Sequence, residues 1–124
     1  MVFILKCNNW GMGHMILNFS DFEKIDMRVG KIISIEPLLG THKSFYKLII
    51  DFGDDIGLRT SCAQATHYQK ELLIDREIIC IVNLLPKKIA SDYSEVLVLG
   101  VPTKKDGIAL LMPDKEAILG SRVF

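Results

Sequence analysis

Between Phe45 and Phe52 apolar and polar side chains alternate, the period-two pattern of a half-buried β-strand. The alternation puts Tyr46, Leu48, Ile50 and Phe52 on the core side and Phe45, Lys47, Ile49 and Asp51 on the other. Gly53-Asp54-Asp55 is turn chemistry, so residues 56–61 are expected to return as an antiparallel strand. Leu58 and Thr60 would then point inward, Arg59 and Ser61 outward. Upstream, residues 27–36 read as a first strand, with Gly30 at a place where a strand can bend sharply. Before it, Ser20-Asp21-Phe22-Glu23 has the spacing of a capping box, which predicts one helical turn over residues 21–24. Its Phe22, with Ile25 just after it, can plug one end of a barrel. Ala65, Tyr68 and Leu72 have the spacing of a short helix within residues 63–73.

Residues 83–100 organise the second half of the chain. Residues 78–83 are an apolar run rich in β-branched side chains, which suits a buried strand. Pro86 has no backbone donor and holds Leu85 extended, so the ladder should stop there. Lys87 and Lys88 then fall in a loop with no acidic neighbour before Asp92. Residues 96–101 resume as strand, and a last strand covers residues 108–112, ending at Pro113. Three strands, a helix and two more strands is the order of an OB-fold. The expected class is therefore all-β with one short helix, a five-stranded Greek-key barrel of OB type with N- and C-terminal extensions. Residues 1–18 fit this pattern poorly and are read as an atypical extension that Trp10 could anchor, with the barrel domain over residues 19–124.

A chain of 124 residues holds one domain with a modest core. Its hydrophobic fraction of 49% and mean hydropathy of +0.27 are high for a small monomer. Part of that apolar surface is expected in a homodimer interface. Lys and Arg together number 15, as do Asp and Glu, so the formal charge is zero. Bulk charge therefore cannot hold nucleic acid, and any such binding must come from a local patch. Cys7, Cys62 and Cys80 are widely spaced, which fits reduced, buried thiols of a cytoplasmic protein better than a disulfide or zinc framework. No stretch approaches a membrane span, so no membrane insertion is expected.

In an OB-fold the ligand surface is the outer face of strands 2 and 3, flanked by the loops between strands 1 and 2 and between strands 4 and 5. Alternation assigns Lys47 and Arg59 to the strands, His42 and Lys43 to the first loop, and Lys87 and Lys88 to the second. Phe45 lies beside them and can stack on a base or ribose. The bland alternative is that the paired lysines only keep a connection soluble. Catalytic patterns are weak. Cys62 and His67 are the one nucleophile–base candidate, on a helix start and its second turn, where the side chains need not meet. His14, His42 and His67 lack metal-ligand spacing, and Gly11-x-Gly13 is not flanked as a phosphate loop would be. No catalytic residue, metal site or cofactor is expected.

Several runs resemble the tRNA-binding domain family, in particular its free-standing CsaA-type export chaperones. They are Asp21-Phe22-x-Lys24-Ile25-Asp26-x-Arg28-Val29-Gly30, Tyr46-Lys47-Leu48-x-Ile50-Asp51-Phe52-Gly53, Ser61-x-Ala63-Gln64, residues 83–100, and Gly120-Ser121-Arg122-Val123. One departure stands out: after Ile89-Ala90 the family usually has Gly, an apolar residue and often a basic one, where this chain has Ser91, Asp92 and Tyr93. The resemblance implies a non-enzymatic protein that grips folded tRNA by shape, mostly through backbone contacts. It also implies that Ser61 and Gln64 lie near the binding surface, although Ser61 could equally cap a helix and Gln64 bond to backbone. A second activity implied by the family is the binding of unfolded or precursor polypeptides, for which Phe45, Ile49, Leu84, Leu85 and Leu111 are the outward apolar candidates. Those same residues would serve a dimer interface, which family members build from their terminal extensions.

Overall fold

A computed structural model of the chain describes residues 15–40 and 45–124. The expectations for Cys7, Trp10, His14, His42 and Lys43 lie outside the described residues. The elements run α1 (Phe19–Glu23), β1 (Met27–Leu38), β2 (Phe45–Asp51), β3 (Leu58–Ala63), α2 (Lys70–Leu73), β4 (Glu77–Ile81), β5 (Lys87–Ile89), β6 (Asp92–Ser94), β7 (Leu97–Val98), β8 (Gly100–Pro102) and β9 (Ile108–Leu110). Five of them form one curled antiparallel sheet in the order β3-β2-β1-β4-β7. The expected all-β OB-type architecture is what the chain adopts.

β1 is the hinge of that sheet. Its first half pairs with β4, Met27 opposite Ile81 to Lys31 opposite Glu77. Its second half pairs with β2 on the other side, Lys31 opposite Asp51 to Leu38 opposite Phe45. The register slips between Ile32 and Ser34, and such a bulge adds bend and twist where the strand changes partners. Gly30 sits just before this point. A Cβ there would lie 2.5 Å from Ile50 Cγ2 and 2.7 Å from Phe52 Cε1, so only glycine lets β2 fold this closely over β1. The core beneath is apolar and dense: Ile32, Leu48, Ile50, Leu73 and Ile78 are fully buried.

The far edges of the sheet are joined by residues 94–98. The Glu95 N–H donates to Thr60 O (2.8 Å), the Thr60 N–H to Glu95 Oε1 (2.9 Å) and the Cys62 N–H to Ser94 Oγ (3.1 Å). The chain then continues into β7, which pairs with β4. One continuous segment thus satisfies the outer edge of β3 and then extends the opposite edge, which closes the barrel. The C-terminal tail fills the remaining edge of β1. Gly120 N–H donates to Val29 O (2.8 Å), Val29 N–H to Ser121 O (3.1 Å) and Val123 N–H to Met27 O (2.8 Å). Arg28 locks this arrangement, binding the Asp26 carboxylate at 2.6 and 3.2 Å and the Gly120 carbonyl at 2.9 Å.

Several local expectations are corrected. The first helix spans Phe19–Glu23 with Asn18 as its N-cap, and the reciprocal acid is Asp21, whose Oδ2 accepts the Asn18 N–H at 3.3 Å. Two overlapping patterns of the same spacing competed, and the earlier one starts the helix. Phe22 in it is half-buried, while Ile25 stays exposed. The second helix is only Lys70–Leu73, and it buries Leu73 rather than Leu72. β3 runs on through Ala63, which pairs with Tyr46, and a turn closed by Tyr68 N–H to Ala65 O (3.0 Å) follows. The apolar spacing at Ala65 and Tyr68 belongs to that turn.

β3 also begins later than expected, because the turn after Phe52 extends to Gly57, whose carbonyl accepts the Phe52 N–H at 3.0 Å. The register then sets Asp51 opposite Leu58, Ile50 opposite Arg59, Lys47 opposite Cys62 and Leu48 opposite Ser61. Cross-strand partners share a face, so Arg59 and Ser61 lie on the core side and Leu58 and Thr60 on the outer side. Finally, Lys87 and Lys88 stand in a two-stranded ribbon rather than a loop, with Lys87 opposite Ser94, Lys88 opposite Tyr93 and Ile89 opposite Asp92. Ala90 at its tip adopts φ +54°, a left-handed conformation that a Cβ disfavours.

These features generate two stability predictions. Gly30→Ala should lower the unfolding free energy by about 2–3 kcal/mol, since it overpacks a closed core. Ala90→Gly should raise it by about 0.5–1 kcal/mol, the relief of left-handed strain less the entropy of a freer unfolded chain. Denaturant titration checks both, and a lower midpoint for Ala90→Gly would show that the tip conformation carries no strain.

The two described cysteines generate a third. Cys62 and Cys80 are fully buried, and burial raises both thiols, that of Cys80 to about 12 from an ordinary 9.0. Folding therefore favours the protonated thiols, a contribution present in full below about pH 9 and lost as the pH rises from there towards 12. In a Cys7→Ser background the native protein should show no thiol reactive to a disulfide reagent at pH 8, and both should react in denaturant. Rapid native reaction at either cysteine would contradict the burial.

Candidate nucleic-acid interface

The outer face of β2 presents Phe45, Lys47 and Ile49, all half-buried. The β5–β6 ribbon comes down beside this face. Its underside is defined by its register: Asp92 reaches Lys47, with Oδ1 3.0 Å from Nζ, and Ser94 is buried against Cys62. Cys62, although on the outer side of β3, is covered in this way. The hydrogen bond and the charge of Asp92 raise the Lys47 pKa, so this ammonium stays protonated throughout the physiological range. The ribbon's other side, carrying Lys88 and Tyr93, is exposed.

The ribbon thus carries Lys87 and Lys88, which project to its two sides, and meets Lys47 from a distant part of the chain through Asp92. Arg59 and Ser61 do not join them. Arg59 turns its guanidinium back to its neighbour, with Nη1 donating to Leu58 O at 2.9 Å, on the core side of the sheet. Ser61 is fully buried, and its hydroxyl donates to Val96 O at 3.1 Å. It serves the barrel closure, neither capping a helix nor reaching the surface. Gln64, just past the end of β3, is half-exposed. Local sequence carried no sign of the Lys47–Asp92 pair, since only the fold brings the two together.

A second feature adjoins the ribbon. Asn83, Leu84, Leu85, Lys87, Glu95 and Leu97 line most of an open groove of about 560 Å³, in which Leu85 is 92% exposed. Of the apolar candidates, Leu84 and Leu85 belong to this groove, whereas Phe45 and Ile49 belong to the outer face of β2. Asn83 at the groove's end is structural, its Oδ1 accepting the Asp26 N–H (3.0 Å) and its Nδ2 donating to Lys24 O (2.7 Å). His67 does not address Cys62. Its Nε2 lies 2.6 Å from Ile108 O and 3.0 Å from Ile108 N. Among the described residues no group of three or more His, Cys, Asp or Glu is placed to hold a metal ion, and no helix is long and apolar enough to cross a membrane.

Comparison with known proteins agrees with this geometry. The family model described as "Putative tRNA binding domain" matches residues 27–122. The chain is 40% identical over 112 residues to a methionine–tRNA ligase of Pyrococcus abyssi, and 32% identical over 108 residues to that of Methanosarcina mazei. These matches cover 88% and 87% of this chain but only 15% of each ligase. Among solved structures, the CsaA chaperone protein from Picrophilus torridus superposes with a TM-score of 0.82 at 46% identity, covering 88% of this chain and all (100%) of that one. The chaperone CsaA from Bacillus anthracis superposes at 0.81 with 36% identity, covering 89% of this chain and 100% of its own. The chain belongs to the tRNA-binding domain family, in the OB-type form that it shares with the CsaA chaperones.

Proposed function

We propose that this protein binds folded tRNA without catalysis, gripping the phosphate backbone with the β5–β6 ribbon and the outer face of β2. The observation that carries the reading is that Lys87 and Lys88 stand on a ribbon that Lys47 meets through Asp92, in a chain of zero net charge. Ammonium groups attract phosphate and position a nucleic acid without reading its sequence. Gln64 extends the proposed contact surface, and Lys43, outside the described residues, is proposed as a contact from the sequence alone. Asp92 limits the affinity, because its carboxylate already neutralises Lys47 and would repel incoming phosphate. The reading includes a cytoplasmic protein with no cofactor, in which residues 1–18 form an extension to the barrel domain.

A second reading rests on the groove of Leu84 and Leu85, which suits an extended apolar peptide such as an unfolded or precursor polypeptide. Phe45 and Ile49 would have to serve it from the neighbouring face. Self-association is part of the proposal as well: Ile16, Ile118 and Phe124 are 95%, 81% and 106% exposed, an apolar load that a two-fold homodimer would cover.

The expected outcomes separate these readings. Bulk tRNA should shift in a gel with an affinity that falls steeply with salt, while peptide binding should change little. Replacing Lys87 and Lys88 with Ala should reduce the slope of log affinity against log salt by about 1–2 units. Asp92→Asn should tighten binding at low salt by freeing Lys47. If neither change moves affinity or slope, the ribbon is not the RNA surface. For assembly, sedimentation should show a dimer that Phe124→Ser weakens, and a 14.0 kDa monomer at micromolar concentration would overturn it. A point substitution is preferable to truncation, since residues 120–123 also pair with β1.

A further inference from the structure

Backbone gripping leaves the exposed side of the ribbon unexplained. Directly opposed residues of an antiparallel pair project to the same side. Ile89 and Asp92 face the barrel, where Asp92 meets Lys47, and so do Lys87 and Ser94. Lys88 and Tyr93 therefore stand together on the opposite side, facing solvent. Tyr93 is 55% exposed, and its ring contacts no other aromatic ring among the described residues. It is not left there by a loose loop. The ribbon beneath it is held by the Asp92–Lys47 pair and by the hydrogen bond from the Cys62 N–H to Ser94 Oγ. A flat aromatic face is thus presented on a fixed support, with an ammonium group beside it.

That pairing matches the two halves of a nucleotide: a base face to stack on the ring and a phosphate to meet the lysine. Bases inside a duplex have both faces covered by their neighbours, so only an unpaired nucleotide can offer one. We propose that Tyr93 and Lys88 form a clip for an unpaired nucleotide of the bound RNA, in a loop, a bulge or a single-stranded end. The clip rests on the tRNA-binding reading and deepens it. It gives a neutral protein a contact that does not depend on charge alone, and it discriminates RNA with accessible bases from plain duplex. In the Ser91-Asp92-Tyr93 departure, the third position then carries a stacking ring where the family often has a basic residue.

The test uses the full chain and two RNA probes of equal length, one a blunt duplex and one a duplex with a single-stranded 3′ tail. Tyr93→Thr removes the ring while keeping strand propensity, Tyr93→Phe keeps the ring, and Lys88→Ala removes the charge. Tyr93→Thr should lose about 5-fold or more on the tailed probe and nothing on the blunt one. Tyr93→Phe should bind as wild type, and Lys88→Ala should weaken both probes with a shallower salt slope. If wild type prefers neither probe and Tyr93→Thr binds both equally well, the clip is overturned while the RNA reading stands. Wild type that binds neither probe nor bulk tRNA overturns both. A Tyr93→Thr protein that loses only self-association, with RNA affinity intact, assigns the ring to a protein contact and also overturns the clip.

Discussion

The barrel depends on β1 serving two partners at once. A strand that pairs with β4 at one end and β2 at the other must bend between them, and the inside of that bend is crowded. Ile50 and Phe52 come so close to Gly30 that no side chain fits there. The close packing of β2 over β1 depends on this contact. If β2 sat further away, Lys47 would not meet the ribbon that descends from the other side of the barrel. The bulge at Ile33 and the tail residues 120–123, which occupy the edge that β2 vacates, complete the same arrangement.

Much of what resembles the tRNA-binding family is explained by this scaffold rather than by ligand. Asp26 and Arg28 form a bidentate pair that also holds the Gly120 carbonyl, and Asn83 ties the end of α1 to the start of the groove. Gly120 is required because a Cβ there would meet the Phe52 carbonyl at 2.2 Å, and its φ is +81°. Ser61 bonds inside the barrel closure. Each is a position where backbone segments from distant parts of the chain meet and leave donors or acceptors to satisfy. The exposed side of the ribbon, carrying Lys88 and Tyr93, lies apart from these meeting points.

Electrostatics at the ribbon is local by necessity. With no net charge to steer RNA from a distance, the proposed contact rests on a few ammonium groups at short range. Asp92 holds Lys47 at the base of the ribbon when no ligand is present. It also competes with phosphate. An exposed aromatic ring offers an attraction that neither salt nor that carboxylate screens.

Local pattern sufficed for the fold class. Period-two alternation from Tyr46 to Phe52 assigned that strand's faces as found, because that signal depends only on neighbours along the chain, whereas β4 ends at Ile81, well ahead of Pro86. The same reasoning failed at β3. Whether Ser61 or Thr60 faces inward is decided by how many residues the preceding turn consumes, and one residue reverses every side chain. The helix start, the length of α2 and the ribbon at Lys87 and Lys88 were likewise settled by packing between competing local patterns. Sequence alone determined that this chain is a small barrel with cations in several of its connections. Only the tertiary structure decided which cations meet, that Asp92 holds Lys47, and that Lys88 stands beside Tyr93. Lys47 and Asp92 share no local pattern and meet only when the barrel closes, while the register of the β5–β6 hairpin sets Lys88 beside Tyr93.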